Sequence, residues 1–474
     1  MRAIDDHGRW AYEQFGFAKL GDPRRTHRLV SMTKRTCRHP AGKISEVFDS
    51  DADRQGAYDF LESKHIDQNA MARAMGEACA RQCASLPFAF VAVDGTTLTL
   101  VDRQKQKGFG SVGGMECNAR GLKAITAMAM TPSGVATGIA AQQVWARPVR
   151  PHVSRREQKR ASRRRKHDEK ETKQWTDTIE QAALRFRNAN AHAWFVLDRE
   201  ADARLILQTL VSTGHYFTVR SSWDRTLESV AGAPAKLRAA LHAQPMLGVY
   251  ALDVTATQKR NARRARMQVR TLDLTLRMRI DDTRHKESMP MTVVWVREWE
   301  TTPEGEKPLD WMLLTNYRVQ SFDEACLVVF GYTQRWRIEE MHKAWKSGSC
   351  DVEQTQLRSV AAVVRWATIL LAVATRAERL KHLSRDQPDL PATAQLTALE
   401  VRALILLKRR SKKRTEHVPD SVPTLAQATR WIADIGGYTG KSSGGPPGII
   451  TIARGLIKVR AAADVLEQLD SHAN

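Results

Sequence analysis

Apolar runs separated by polar turns predict a central β-sheet in the first half of the chain. Strands are predicted at residues 88–100, 122–130, 135–144, 194–198 and 216–220. Helices are predicted at about 170–188 and 201–213, on either side of the fourth strand. Antiparallel hairpins followed by a β-α-β unit are typical of a mixed α/β core.

Helical patterns flank this core on both sides. Residues 1 to about 75 predict a basic helical segment, in which a Gly-Asp-Pro turn at 21–23 begins a helix. Residues 376–474 are also predicted to be helical, with a proline-containing break at 384–394. The apolar stretch 360–375 is interrupted by Arg365 and predicts a buried helix rather than a membrane span. We therefore predict three domains, with the core at 76–375.

Residues 222–317, within this core region, predict a β-rich insertion. Strict alternation at 270–280 places leucine, methionine and isoleucine on one face, and 291–299 predicts another strand. Five cations in the insertion fit either a solvated hairpin tip or a phosphate-binding loop: Lys259, Arg260, Arg263, Arg264 and Arg266.

The segment 332–346 predicts a helix with one polar and one apolar face. Ser321 and Glu324 predict a capping box at its start. At roughly 100° per residue, five polar residues fall within one narrow arc: Tyr332, Arg335, Glu339, Lys343 and Lys346. A single carboxylate among cations fits an acid that helps to hold a metal while its neighbours bind phosphates. For an isolated helix, a solvated charged face is the alternative.

Two apolar runs upstream end in aspartate, at Asp94 and Asp198. An ionised carboxylate at the end of a buried strand is costly to desolvate unless it is paired or bound to a metal. Asp198 alone fits a helix cap as well. Together with Glu339, however, the two aspartates supply three acids for hard divalent ions such as Mg²⁺. Paired ions of this kind carry out phosphoryl transfer.

With these motifs in order, the chain resembles bacterial DDE transposases of the cut-and-paste insertion-sequence type, closest to the Tn-five transposase subgroup. The matching segments are LGDPRRTHRLV (20–30), QGAYDF (55–60), VAVDGTT (91–97), LDREAD (197–202), FTVRS (217–221), WMLLT (311–315) and YTQRWRIEEMHKAWK (332–346). They extend along nearly the whole chain. The last segment is the most specific, because it follows the two aspartate strands in order.

The resemblance implies an RNase-H-like catalytic core with Asp94, Asp198 and Glu339 as metal ligands for Mg²⁺, for which Mn²⁺ substitutes. It also implies the subgroup's Y-R-E-K signature, filled by Tyr332, Arg335, Glu339 and Lys343. The implied activity is cleavage at transposon ends, through a DNA hairpin, followed by strand transfer into target DNA.

Further DNA contacts are expected around this site and in the N-terminal domain. Arg335, Lys343 and Lys346 are placed to hold strand phosphates. Arg220 fits either a phosphate contact or a structural role. By resemblance, Trp311 stacks on a flipped base, with Trp336 as a weaker candidate. The resemblance also assigns recognition of transposon-end DNA to the N-terminal domain, with contacts from Arg24, Arg25 and Arg28, and dimer contacts to the C-terminal domain.

Charge and cysteine content agree with a DNA-binding protein of the bacterial cytoplasm, associated with the nucleoid. The chain has 74 Lys and Arg against 52 Asp and Glu, a net charge of +22, which favours a polyanionic partner. The run 155–166 carries eight of these cations and fits either a DNA contact or a mobile loop. The six cysteines lack metal-ligand spacing and are expected to be reduced.

Three alternatives compete with a homodimeric transposase. Another nuclease on the same core would cleave DNA without joining strands. A non-catalytic DNA-binding relic would be favoured by a missing acid, and all three acids are present. A structural RNA-binding protein does not explain the metal-ligand pattern.

Overall fold

A ten-stranded mixed sheet forms the centre of the protein. The computed structural model describes residues 6–113, 119–148, 154, 156–157, 160, 169–227, 236–254, 256, 260–279, 286–411, 418–440 and 445–472. The strands are β1 Ala89–Leu100, β2 Gly110–Ser111, β3 Arg120–Met130, β4 Ala136–Trp145, β5 Ala193–Leu197, β6 Tyr216–Arg220, β7 Gly248–Val254, β8 Arg263–Arg279, β9 Lys286–Glu298 and β10 Asp310–Thr315. The five strands predicted for the core are therefore confirmed to within two residues at each end.

The strand order is β2-β3-β1-β5-β6-β10-β9-β8-β7, and β4 also pairs with β3. The pairs β1–β5 and β5–β6 are parallel, whereas the remaining pairs are antiparallel. The predicted insertion is thus part of the same sheet. Its strands β7, β8 and β9 extend the sheet outward from β10.

Helices cover both faces of this sheet, and some of the described helices pack only on other helices. They are α1 Asp6–Phe15, α2 Pro23–Arg38, α3 Ile44–Val47, α4 Asp51–Glu62, α5 Gln68–Cys83, α6 Thr172–Asn188, α7 Arg204–Ser212, α8 Leu237–Ala243, α9 Phe322–Gln334, α10 Trp336–Ser347, α11 Val360–Asp386, α12 Ala398–Ser411, α13 Leu425–Ile435 and α14 Ile449–His472. The two helices predicted within the core correspond to α6 and α7. The expected domain boundaries at 75 and 375 lie inside α5 and α11.

Alternation along the strands divides the sheet's core into two layers. In β1, Phe90 and Ala92 pack in the layer that contains α9, α10 and α11, whereas Val91 and Val93 pack in the layer that contains α6 and α7. Because successive side chains of a strand point to opposite faces, residues with the parity of Phe90 face α9 and α10. Asp94 has this parity.

The helix α11 is the main packing element on this face. It contacts α2, α4, β4, α10 and α14, and Trp366 within it donates a hydrogen bond to the Gly42 carbonyl (2.8 Å). With 27 residues and a most apolar window of mean hydropathy 1.6, α11 is long and apolar enough to cross a membrane, but 78% of that window is buried in the protein. The predicted burial is confirmed, although the helix is longer than the predicted segment.

The N-terminal helix that carries Arg24, Arg25 and Arg28 begins as predicted. Gly21 has a φ of +79°, which favours glycine, and the Asp22 side chain accepts a hydrogen bond from the Arg24 backbone amide (2.9 Å). Pro23 then occupies the first turn of α2, where its missing N–H costs little.

A buried polar network joins the first helix to the C-terminal helices. His7 Nε2 lies 3.3 Å from Glu400 Oε1, which also accepts a hydrogen bond from Arg460 Nε (2.9 Å). On the other side of His7, Arg376 donates to the Cys37 sulfur (2.8 Å). Burial alone raises the pKa of Cys37, but the charge of Arg376 and the contact with His7 lower it to about 6. The five described cysteines are free thiols, as expected from their spacing.

The network predicts a large stability loss for Glu400→Gln. Glu400 is only 2% exposed, and removing one partner of a buried ion pair leaves the other charge uncompensated, at a cost of roughly 3–5 kcal/mol. Burial alone raises the pKa of Glu400, but His7 and Arg460 lower it below its usual range. The contribution is therefore present at neutral pH and lost only as pH falls through this lowered pKa.

The measurement is urea denaturation at pH 7, with Arg402→Gln as the matched control on the same helix. Arg402 and Asp470 form an ion pair (2.8 Å) in which both side chains are about half exposed, so its loss should cost about 1 kcal/mol or less. Equal effects of the two substitutions would contradict a stabilising role for the network.

Candidate active site

The two aspartates that end the apolar runs lie next to each other. The parallel register of β1 and β5 pairs Ala92 with Val196. Continuing this register by two residues places Asp94 opposite Asp198. Both have the parity of the face covered by α9 and α10. Two neighbouring parallel strands therefore present two carboxylates towards these helices, Asp94 from within β1 and Asp198 directly after β5.

The third acid, Glu339, comes from α10 on the same face. The predicted capping box is present at the start of α9, where Ser321 and Glu324 cap each other's backbone amides. The single predicted helix is divided at Arg335, because i→i+3 hydrogen bonds from Arg335 N to Tyr332 O and from Ile338 N to Arg335 O tighten this turn. Arg335 keeps helical dihedral angles (φ −52°, ψ −36°). The direction of the polypeptide is therefore largely preserved across the break.

Arg335 contacts all three acids. Its guanidinium nitrogens lie 3.3 Å from Asp94 Oδ2, 3.8 Å from Asp198 Oδ2 and 2.8 Å from Glu339 Oε1. Three carboxylates from two strands and one helix thus converge on a single cation.

Tyr332 and Arg220 support the acid at Asp198. The Tyr332 hydroxyl donates to Asp198 Oδ1 (3.0 Å) and accepts from Arg220 (3.4 Å). Arg220 lies 3.9 Å from the same carboxylate oxygen and donates to the Asp310 carbonyl (3.2 Å). Burial raises the pKa of Tyr332, so this hydroxyl remains a donor at neutral pH. In this structure Arg220 therefore supports Asp198 both directly and through Tyr332.

The two aspartates have opposite electrostatic environments. Burial raises the pKa of Asp94 to about 6, although Arg335 opposes the shift, and repulsion from Glu339 and Glu200 adds to it. Burial alone would also raise the pKa of Asp198. The net pKa is nevertheless lowered, by the Arg199 backbone amide, Arg335, Tyr332 and Arg220. Of the two aspartates, Asp94 is thus the one whose ionised form the protein disfavours.

A cleft of about 700 Å³ opens beside this cluster. It is lined by Asp198, Arg199, Arg220, Arg260, Pro308, Leu309, Asp310, Trp311, Tyr332, Thr333, Arg335, Trp336 and Glu339. Trp311 is partly buried, with its ring 5.8 Å from that of Tyr332, whereas Trp336 is 60% exposed. Trp336, the weaker of the two candidates on sequence grounds, therefore exposes more of its aromatic surface than Trp311 does.

Two family models match the chain. Residues 7–66 match a model described as transposase DNA-binding, and residues 158–376 match one described as transposase DDE domain. The chain contains a transposase DNA-binding domain and a DDE domain. These domains support a DDE transposase and imply an RNase-H-like core within the mixed α/β fold. Asp198 and Glu339 lie within the DDE match, whereas Asp94 precedes it.

The three acids Asp94, Asp198 and Glu339 fit a divalent metal. Their contacting atoms are all carboxylate oxygens, the ligands that Mg²⁺ and Mn²⁺ prefer. Three carboxylates share the single charge of Arg335, which leaves an excess of negative charge. Burial is the main cause of the raised pKa of Asp94, and repulsion from Glu339 and Glu200 adds to it. A divalent cation compensates such an excess better than one guanidinium does.

Another acidic cluster lies behind α10 but already contains a cation. Glu340, Glu378 and His382 place ligand atoms within 4.8 Å of one another. The ammonium of Lys381 lies 2.9 Å from Glu340 and 2.6 Å from Glu378. Burial lowers the pKa of His382 to about 2, so its ring is neutral. We interpret this cluster as a buried ion-pair network rather than a second metal site.

Other predicted DNA contacts lie outside the cleft. Lys343 is exposed, and Lys346 lies 3.8 Å from Glu353. In the DNA-binding domain, Arg24 is exposed to solvent, whereas Arg25 donates to the Leu20 carbonyl (3.0 Å). Arg28 donates to the Asp53 carbonyl (3.2 Å). Most of the run 155–166 falls outside the described residues.

The basic cluster of the insertion is divided between two roles. Arg260 lines the cleft of the DDE domain, which supports the phosphate-binding alternative. Arg263 instead binds Glu298 and Glu306 (2.6 and 2.7 Å), because these acids face it from β9 and the following loop. Arg199 also lines the cleft and was missed, although its position directly after Asp198 was a usable signal.

The unequal environments of the two aspartates predict opposite stability effects. A raised carboxyl pKa means that the folded state binds the proton more tightly, so stability falls as pH rises from about 4 to 6. Asp94→Asn removes this penalty and should stabilise the metal-free protein at pH 7.5 by on the order of 1–3 kcal/mol. Asp198→Asn removes an acid whose ionised form is favoured and should be destabilising.

Denaturation with EDTA present, between pH 4 and pH 7.5, tests this. The gain from Asp94→Asn should shrink as pH falls and disappear near pH 4. Parallel pH profiles for this variant and the wild type would contradict the assigned environment of Asp94.

Proposed function

We propose that this protein is a cut-and-paste DNA transposase of the Tn-five subgroup, which cleaves at transposon ends through a hairpin and transfers the ends into target DNA. The observation that carries the proposal is the convergence of Asp94, Asp198 and Glu339 at a cleft of the DDE domain. The transposase DNA-binding domain at 7–66 supports duplex DNA as the substrate. The order Tyr332, Arg335, Glu339 and Lys343 supports the subgroup.

Asp94, Asp198 and Glu339 would hold the divalent ions, Mg²⁺ or Mn²⁺. When bound, such ions lower the pKa of an attacking water or hydroxyl and neutralise charge at the phosphate. The protein's own residues orient the acids: Tyr332 fixes one oxygen of Asp198, and the Gly95 amide fixes one oxygen of Asp94 (2.9 Å). Arg335, Lys343 and Lys346 hold strand phosphates, and Arg260 and Arg199 extend this cationic surface along the cleft.

The reaction proceeds by successive exchanges of phosphodiester bonds. Water first breaks one phosphodiester bond and leaves a 3′-hydroxyl on the transposon strand. This hydroxyl attacks a phosphate of the opposite strand, which closes a hairpin and releases the flanking DNA with its own 3′-hydroxyl. A second water breaks the hairpin bond and restores the transposon 3′-hydroxyl, which finally attacks a target phosphate and releases a 3′-hydroxyl of the target strand. Trp311 and Trp336 lie at the cleft, where an aromatic face compensates part of the cost of extruding a base.

We further propose a homodimer that holds two transposon ends. The domain division would be 1–75 for end recognition, 76–375 for catalysis and 376–474 for dimerisation. Arg24, Arg25 and Arg28 on α2 would contact the end, and the net charge of +22 favours a nucleoid-associated protein of the bacterial cytoplasm.

Removal of any one acid should abolish cleavage without abolishing DNA binding. We expect Asp94→Asn, Asp198→Asn and Glu339→Gln to lower Mg²⁺-dependent cleavage of an end duplex by at least about 10³-fold. Binding should change little, because affinity comes mostly from phosphate contacts elsewhere. Gel-based cleavage and shift assays measure both. Wild-type cleavage by Glu339→Gln would remove Glu339 from the site.

Mixing of inactive variants tests whether each subunit cleaves the end held by its partner. One variant carries Glu339→Gln; the other carries Arg24→Gln, Arg25→Gln and Arg28→Gln. If catalysis occurs in trans, the mixture should cleave ends although neither variant does so alone. Paired complexes without cleavage would show that each subunit acts on its own end.

A further inference from the structure

Arg335 is held in the cluster of acids by its place in the chain. It lies at the junction of α9 and α10, one helical turn before Glu339, and its side chain is only 10% exposed. Within the part of the chain that the structure describes, it is the one cation with an ion-pair contact to each of the three acids.

The carboxylate oxygens that Arg335 contacts are the ones that face the interior of the cluster. Asp94 Oδ1 accepts from the Gly95 amide, and Asp198 Oδ1 accepts from Tyr332. The other oxygen of each aspartate is the one nearest Arg335. A cation held by these acids would therefore compete with the guanidinium for the same oxygens.

Arg335 also has space to move. It lines the cleft of about 700 Å³ together with Arg220, Arg260 and Trp336. A DNA phosphate in this cleft would offer a guanidinium two oxygens in the geometry it prefers. The same side chain has three carboxylate partners in the DNA-free protein and would have a phosphate as an alternative partner in a DNA complex.

We propose that Arg335 is an exchangeable counter-ion, which neutralises the acids until a divalent cation replaces it and the guanidinium moves to a DNA phosphate. This inference rests on the proposed function in assigning the metal to these acids. Its consequence is thermodynamic coupling: DNA draws Arg335 away and strengthens metal binding, and the metal strengthens DNA binding by the same factor.

The experiment measures Mn²⁺ binding to the DNA-free, full-length protein by isothermal titration calorimetry. Arg335→Gln should bind Mn²⁺ at least about tenfold more tightly than the wild type, within the usual range of coupling between two sites. Arg199→Gln is the matched control, because Arg199 lines the same cleft and its loss removes the same charge. Arg199→Gln should change the Mn²⁺ affinity by about threefold or less, as expected for a screened surface charge.

A second readout is thermal unfolding. Without metal, Arg335→Gln should melt at a lower temperature than the wild type, since three acids lose their shared cation, and Mn²⁺ should raise its melting temperature more. Arg335→Lys keeps the charge but lacks the planar fork, so its Mn²⁺ affinity should lie between the other two. It keeps the test decisive if the glutamine variant does not fold.

The outcomes separate this inference from the proposed function. If the wild type binds Mn²⁺ and Glu339→Gln does not, the metal site stands. Equal or weaker Mn²⁺ binding by both Arg335 variants would then overturn the counter-ion role alone. If Glu339→Gln leaves Mn²⁺ binding unchanged, the proposed metal site fails and the inference fails with it.

Discussion

Repulsion among three carboxylates is the constraint around which the centre of this protein is built. Asp94, Asp198 and Glu339 are brought together by two parallel strands and one helix, and each would raise the energy of the others without a shared cation. Arg335 supplies that cation from the turn that divides α9 from α10. The charge balance of the site is thus set by the polypeptide itself, at a position that also determines where Glu339 lies.

The rest of the fold holds these elements in place by burying apolar surface on both faces of the sheet. One layer contains α6 and α7; the other contains α9, α10 and α11. Trp345 of α10 donates a hydrogen bond to the Ala367 carbonyl of α11 (2.9 Å), and Lys381 of α11 binds Glu340, the residue after Glu339. The helix that carries the third acid is therefore fixed from behind as well as from the cleft.

Much of this arrangement follows from local sequence patterns. Apolar runs bounded by polar residues predicted β1, β5 and β6, and the capping box predicted the start of α9. The side of the sheet that Asp94 faces follows from its spacing of two residues from Ala92 and four from Phe90 along β1. What local patterns did not reveal were pairings between distant residues. Arg335 has the spacing of a phosphate ligand, and only the fold shows it among carboxylates. Arg263 looked like part of a basic loop but is neutralised by Glu298 and Glu306.

The buried network of His7, Glu400 and Arg460 gives the chain an unusual mechanical connectivity. The first described helix and the last one are joined by ionic contacts, with α11 between them. If either of these helices detached from the protein, charged groups of the network would lose their partners. Local opening of either helix is therefore opposed by the free-energy cost of leaving a buried charge without its partner.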